Sequence, residues 1–210
     1  MRTDFSYWNS LWTALGARGD PQPWHERLVA AYREPTRYYH NLQHLDECLR
    51  EFDQVRPQVA QAIEVETALW FHDAIYDSHS PTNEEDSAVL MAACLGEVAV
   101  PREIIESVAQ LIRGTKTHES CASPDAAILI DIDLAILGQP PSRFWEYERA
   151  IRAEYAWVPA PTFAQERARI LNRFLERGSV FQTETFRCRY EANARKNLRA
   201  AIEALRSATP

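Results

Sequence analysis

The chain has 210 residues, 46% of them hydrophobic, which puts it at the upper end of single-domain size with ample material for one core. Its 23 Lys and Arg are outnumbered by 30 Asp and Glu, and the net charge of -7 argues against binding to nucleic acid or to an anionic membrane surface. No uncharged apolar stretch reaches the ~18 residues of a membrane span, and Met1 to Trp12 lacks the basic region and apolar core of a signal peptide. The expectation is one cytoplasmic domain, residues 1–210, whose partner is a small molecule or another protein.

Only 6 glycines are present, against the ~15 of average usage, and Ala, Leu, Glu and Arg are plentiful, a composition that favours helices. No long stretch alternates with period two, so the predicted fold class is all-α. In chain order, helices are predicted over roughly Phe5 to Leu15, Trp24 to Tyr32, His40 to Val55, Val59 to Ile75, Asn83 to Leu95, Arg102 to Arg113, Asp125 to Leu137, Arg143 to Tyr155, Phe163 to Arg177 and Phe186 to Leu205. Prolines mark several starts, because proline fits a first helical turn but not a helix interior: Pro21 and Pro23, Pro101, and Pro159 and Pro161. The last helix carries Arg187, Glu191, Arg195 and Arg199 at helical spacing, the pattern of a charged outer face. Trp8, Trp12, Trp24, Trp145 and Trp157 read as core packing rather than as a platform for bases. Cys48, Cys94, Cys121 and Cys188 are widely and unequally spaced with no C-x-x-C pair, and read as buried thiols rather than a disulfide framework.

The chemistry concentrates in a few places. In His40-Asn41-Leu42-Gln43-His44, two imidazoles four apart share one helix face and could approach one ion or one phosphate. His72-Asp73 closes the apolar run that starts at Ala68; an imidazole and a carboxylate inside such a segment cost several kcal/mol unless paired or bound to a metal. The stretch Ala126 to Leu137 holds two acids, Asp131 and Asp133, in a helix otherwise apolar all round, and such a helix is a buried one. Two positions apart, they point to nearly opposite sides, so only one is expected to be a ligand. Asp133, ringed by Leu129, Ile130, Ile136 and Leu137, is the harder to bury without a metal. His44, His72, Asp73 and Asp133 together form a mixed imidazole and carboxylate set suited to a divalent transition ion, Mn, Fe, Ni, Co or Zn, with Mg also allowed. An ion so held can activate water and polarise a phosphoryl group, which makes phosphoester hydrolysis the natural chemistry.

The ordered pattern H…HD…D resembles the HD superfamily of metal-dependent phosphohydrolases, which are all-α helical bundles. Arg37-Tyr38-Tyr39-His40-Asn41-x-x-His44 further resembles the Y-H-N-x-x-H segment of cyclic-nucleotide phosphodiesterases. That likeness implies His44 as a metal ligand and His40 as the acid that protonates the leaving oxygen. Asp131-Ile132-Asp133-Leu134 resembles the D-x-D-x-L or A-D-R-L segment of other members, which again selects Asp133. The motifs lie within residues 37–138. Ile151-Arg152-x-Glu154-Tyr155 and Glu191-x-x-Ala194-Arg195-x-Asn197-Leu198 extend the resemblance over nearly the whole chain, to a bacterial group known as predicted HD-superfamily phosphohydrolases.

Two polar loops hold secondary candidates. In Asp77 to Glu85, Glu84 could order water or act as a general base, and Asn83 could cap the following helix. In Gly114 to Pro124, Lys116 and His118 could bind phosphate or a second metal. Arg37 and Arg152 could each grip a phosphate or make a structural ion pair. The expected function is a metal-dependent phosphohydrolase acting on a nucleotide or another small phosphoester. The alternative is a metal- and nucleotide-binding HD domain without catalysis, acting as a sensor or regulatory module. A homo-oligomer is compatible with the sequence, but no coiled-coil seam requires one.

Overall fold

The computed structural model describes residues 1–118 and 123–207, which form ten α-helices and two short 3-10 helices, with no strand among the described residues. The predicted all-α class is correct, and each of the ten predicted helices has its counterpart. The chain divides into two compact units, Met1–Ile132 and Asp133–Pro210.

The first unit contains α1 (Phe5–Ala14), α2 (Gln22–Ala31), α3 (Leu42–Val55), α4 (Ala62–Phe71), α5 (Asn83–Glu97) and α6 (Arg102–Gly114), followed by α7 (Pro124–Asp133). α4 is its axis: Val65 to Phe71 are all buried, and α1, α3, α5 and α6 all pack against it. A helix covered on every side needs apolar residues all round, and the run Ala68-Leu69-Trp70-Phe71 supplies them. Trp8, Trp70 and Phe71 meet at ring distances of 5.2 and 6.1 Å around Trp8, anchoring α1 to this axis.

α4 is shorter than the predicted Val59 to Ile75, for reasons remote in sequence. Pro57 sits in a 3-10 helix, Arg56–Gln58. The amides of Ala60 and Gln61 then donate to the carboxylate of Asp125, at 3.0 and 2.7 Å. An acid at the start of α7 thus supplies, at the start of α4, the acceptor that a local cap residue usually provides. At the other end the helix stops at Phe71, and the side chain of Arg37 takes the carbonyls of Asp73 and Ala74. α3 begins at Leu42 rather than His40, because the Asn41 side chain accepts from the amides of Gln43 and His44 at 2.9 and 3.4 Å, an N-cap. The predicted helix Asp125 to Leu137 is α7 followed by a 3-10 helix, Leu134–Gly138.

The second unit contains that 3-10 helix with α8 (Pro141–Glu154), α9 (Ala160–Glu176) and α10 (Glu184–Ser207). α10 packs along α9 and against Leu134–Gly138. Gly138 is obligatory there, since a Cβ would fall 2.4 Å from Cβ of Tyr190. Asn197 holds the same segment by donating to the carbonyls of Leu137 and Gln139, each at 2.9 Å. Arg167 and Glu148 form a buried pair at 2.6 Å, joined by the Tyr147 hydroxyl. The expected charged outer face of α10 is only partly outward. Glu191 turns inward to accept from the amides of Val180 and Phe181. Trp157, expected in the core, is exposed at 53%. Among the described cysteines, Cys48 and Cys94 are buried as expected and Cys188 is exposed; Cys121 lies outside the described residues.

Candidate metal centre

His40 and His44, expected to share a helix face, do not, because His40 lies in the turn before α3. His44 is the third residue of α3, in a first turn fixed by the Asn41 cap. His72 follows the last residue of α4 and Asp73 comes next in the turn. His72 keeps helical backbone angles and its amide still donates to Ala68, so these neighbours, whose side chains diverge by ~100° around a helix, meet at a point between their directions. His44 Nε2 and His72 Nε2 are 3.1 Å apart. Asp73 Oδ2 lies 3.4 Å from the first and 3.1 Å from the second.

This triangle has the dimensions of a metal ligand face. Ligand atoms ~2.1 Å from an ion and separated by 90° to 109° stand about 3.0 to 3.4 Å apart. His44 and His72 are each 2% exposed, so two imidazoles and a carboxylate converge where water is scarce. His72 Nδ1 donates to the carbonyl of Leu69 at 2.8 Å, which directs Nε2 into the triangle, as a donor to Asp73 in the imidazolium and as a lone pair for an ion in the neutral ring. Burial works against ionisation of Asp73. The charges of His72 and His40 and the hydrogen bonds from His44 and His72 outweigh it and hold the carboxyl well below the usual carboxylate range. The donor set therefore fits a divalent transition ion.

A second grouping overlaps the first: His44, Cys48, His72 and Asp133 each offer one ligand atom, all within 4.8 Å of one another. Asp133 is the last residue of α7 and the first of the second unit. Asp131 is fully buried whereas Asp133 is half-buried, so burial ranks the two acids in the opposite order to their convergence on the histidines. Cys48 is a member of this grouping that the sequence pattern does not single out. Its one signal is its position, four residues after His44 on the same face of α3.

The other sequence candidates fall in three places. His40 lies in the turn before α3, half-buried, with its ring stacked on Tyr76 at 4.0 Å and edge-on to His44 at 6.0 Å. Glu84, in the first turn of α5, pairs with Lys116 at 3.8 Å, and Lys116 also donates to the carbonyl of Pro81. The Arg113 to Glu85 pair, at 2.6 and 2.7 Å, ties α6 to α5 beside them. His118, which follows α6 by four residues, adopts a left-handed φ of 49°. Asn83 does not cap α5. It donates to the Asp77 carbonyl at 2.9 Å and accepts from the Asp77 amide at 3.0 Å, closing the loop between them.

The two arginines are committed to the fold. Arg37, 6% exposed, binds the carbonyls of Asp73, Ala74 and His40 and pairs with Glu34 at 2.9 Å. Arg152 donates to the carbonyls of Tyr155 and Val158 while lying 4.7 Å over the Phe163 ring. No described helix is long and apolar enough to cross a membrane. No family model, no curated protein and no solved structure matches the chain.

Proposed function

We propose that the chain is a metal-dependent phosphohydrolase of the HD type, which hydrolyses a nucleotide or another small phosphoester in the cytoplasm. The observation that carries this reading is the triangle of His44 Nε2, His72 Nε2 and Asp73 Oδ2, with edges of 3.1 to 3.4 Å in a buried setting. A divalent transition ion held there supplies Lewis acidity, polarising the phosphoryl group and making water a stronger nucleophile.

The chain's own residues prepare that chemistry. Asp73 is ionised at neutral pH and needs no proton loss to act as a ligand. The Leu69 carbonyl fixes the His72 tautomer that presents a lone pair, and Asp133 completes the carboxylate share of the site. His40 stands at the margin, half-buried and stacked on Tyr76, where its imidazole can hand a proton to the departing oxygen. Lys116 and His118 are assigned to the phosphate side as secondary groups, and Glu84, which pairs with Lys116 at 3.8 Å, to ordering water or acting as a general base.

The test is elemental analysis of the purified protein beside Asp73→Ala, followed by a panel of phosphoesters with Mn, Fe, Co, Ni and Zn. Near one equivalent of metal in the parent, little in the variant, and turnover with at least one ion support the reading. Tight nucleotide binding without turnover under any ion favours the sensor reading instead. No metal in the parent, and no uptake on titration, overturns both.

A further inference from the structure

The Tyr76 ring lies face to face with the imidazole of His40, with centroids 4.0 Å apart and planes within 24° of parallel. The Tyr39 ring stands nearly perpendicular to the same imidazole, at 5.0 Å and 79°. One ring against the face and another crossing it leave an imidazole little room to turn about its side-chain bonds. The two tyrosines are anchored differently. Tyr39 is the chain neighbour of His40 and belongs to the same turn before α3. Tyr76 comes from beyond the exit of α4, and the backbone on both sides of it is pinned to α5. Ser87, fully buried on that helix, has its hydroxyl against both the amide and the carbonyl of Ile75, at 3.0 and 3.2 Å. Asn83, one turn earlier, exchanges hydrogen bonds with the amide and the carbonyl of Asp77, at 3.0 and 2.9 Å. Arg37 ties the two sides together, with its guanidinium 5.8 Å from the centre of the Tyr76 ring and a hydrogen bond to the His40 carbonyl at 3.4 Å.

We infer that Tyr76 is a positioning residue for the proton donor: held by α5, it fixes the plane in which the His40 imidazole meets the departing oxygen. The inference rests on His40 acting as the acid of the proposed hydrolysis. A proton donor works only while its N–H points at the leaving atom, and a misplacement of ~1 Å can cost about 10²-fold in rate. His40 lies in a turn rather than in a helix, so its orientation has to come from packing. Tyr76 supplies that packing from a backbone fixed on both sides by Ser87 and Asn83. What it contributes is the face of its ring, so a phenyl ring in its place serves equally and an aliphatic side chain does not.

Two readouts on the full chain test this. In the metal-free protein at one fixed pH, the carbon-bound ring protons of His40 should resonate upfield of an exposed histidine, because they lie over an aromatic face. Tyr76→Leu should move them back downfield and Tyr76→Phe should leave them upfield. In the metal-loaded protein, Tyr76→Leu should keep the metal content and KM of the parent. Its kcat for an alkyl phosphoester should fall about 10- to 10²-fold while that for a nitrophenyl ester falls far less, and Tyr76→Phe should restore the alkyl rate. Ring protons at the position of an exposed histidine in the parent overturn the inference, whether or not Tyr76→Leu folds. Equal losses on both esters in Tyr76→Leu, or no loss on either, also overturn it when His40→Ala does distinguish the two esters. A His40→Ala variant that treats both esters alike overturns the acid reading itself, and the inference falls with it.

Discussion

His72 donates its Nδ1 hydrogen to the carbonyl of Leu69, three residues back at the end of α4, over 2.8 Å. This bond divides the ring into a structural nitrogen and a functional one. An isostere of each half separates the two. His72→Asn keeps a donor near the Nδ1 position and loses Nε2; His72→Gln keeps a polar atom near Nε2 and loses the contact with Leu69. Both should lose metal affinity by tenfold or more, and His72→Gln should also lose about 1 kcal/mol of stability that His72→Asn retains. Metal content and denaturant unfolding of the metal-free variants check this. Equal stability of the two would show that the Leu69 bond does not hold the ring.

Arg37 carries the connection between the turn at His40 and the exit of α4, through the carbonyls of His40, Asp73 and Ala74. A lysine cannot reproduce a planar fork that reaches separate carbonyls. Arg37→Lys should therefore destabilise the chain by about 2 to 4 kcal/mol, because buried acceptors lose their donor. Unfolding in urea with and without saturating metal measures it. Unchanged stability with only a raised KM would return Arg37 to the role of a phosphate ligand.

What the sequence made legible was the set of helices and most of the chemistry they carry. Prolines and the spacing of residues such as Ile104, Val108, Leu111 and Ile112 placed the elements, and the isolated acids and histidines in apolar runs marked the site. The ends of those helices were not legible, because the groups that set them come from elsewhere. Asp125 caps α4 from 64 residues away, and Arg37 takes the carbonyl of Asp73 from 36. Those ends bear on the site, since His72 and Asp73 lie where α4 stops. His40 falls outside the helix for a local reason that composition hides: Asn41 is a stronger cap than a helix interior residue. The placing of Cys48 against the His44 ring is not legible, because one buried cysteine without a C-x-x-C partner looks the same as core packing.

The loop before α10 is held by a carboxylate, and this gives the second unit a defined acid sensitivity. Glu191 accepts from the amides of Val180 and Phe181 at 3.0 and 3.3 Å, from the Ser179 hydroxyl at 2.8 Å and from Arg195 at 2.7 Å. Partial burial opposes its ionisation, but these donors outweigh that and lower its pKa below the ordinary glutamate value. A carboxyl lowered on folding contributes stability that is complete above its unfolded pKa and is lost as pH falls through the folded one. Stability should therefore decline below about pH 4.5 in the parent, and Glu191→Gln should be weaker by about 1 to 3 kcal/mol at pH 7 with a flatter acid limb. Urea unfolding at a series of pH values reads both effects; parallel curves for parent and variant would remove Glu191 from the acid response.

The proposed division of labour between His40 and the metal ligands has a kinetic signature in the leaving group. His40 lies outside the triangle of ligand atoms, with its ring 6.0 Å from that of His44 and packed on Tyr76. His40→Ala should therefore keep the metal content of the parent. An alkoxide leaves poorly without a proton, so turnover of an alkyl phosphoester should fall about 10² to 10⁴-fold. A nitrophenolate leaves readily as an anion, so a nitrophenyl ester should lose far less. Asp73→Ala, by contrast, should lose metal and both activities together, because it removes a corner of the triangle rather than a proton source. Parallel losses on both esters in His40→Ala, with metal retained, would move His40 from proton donor to a group that positions the substrate.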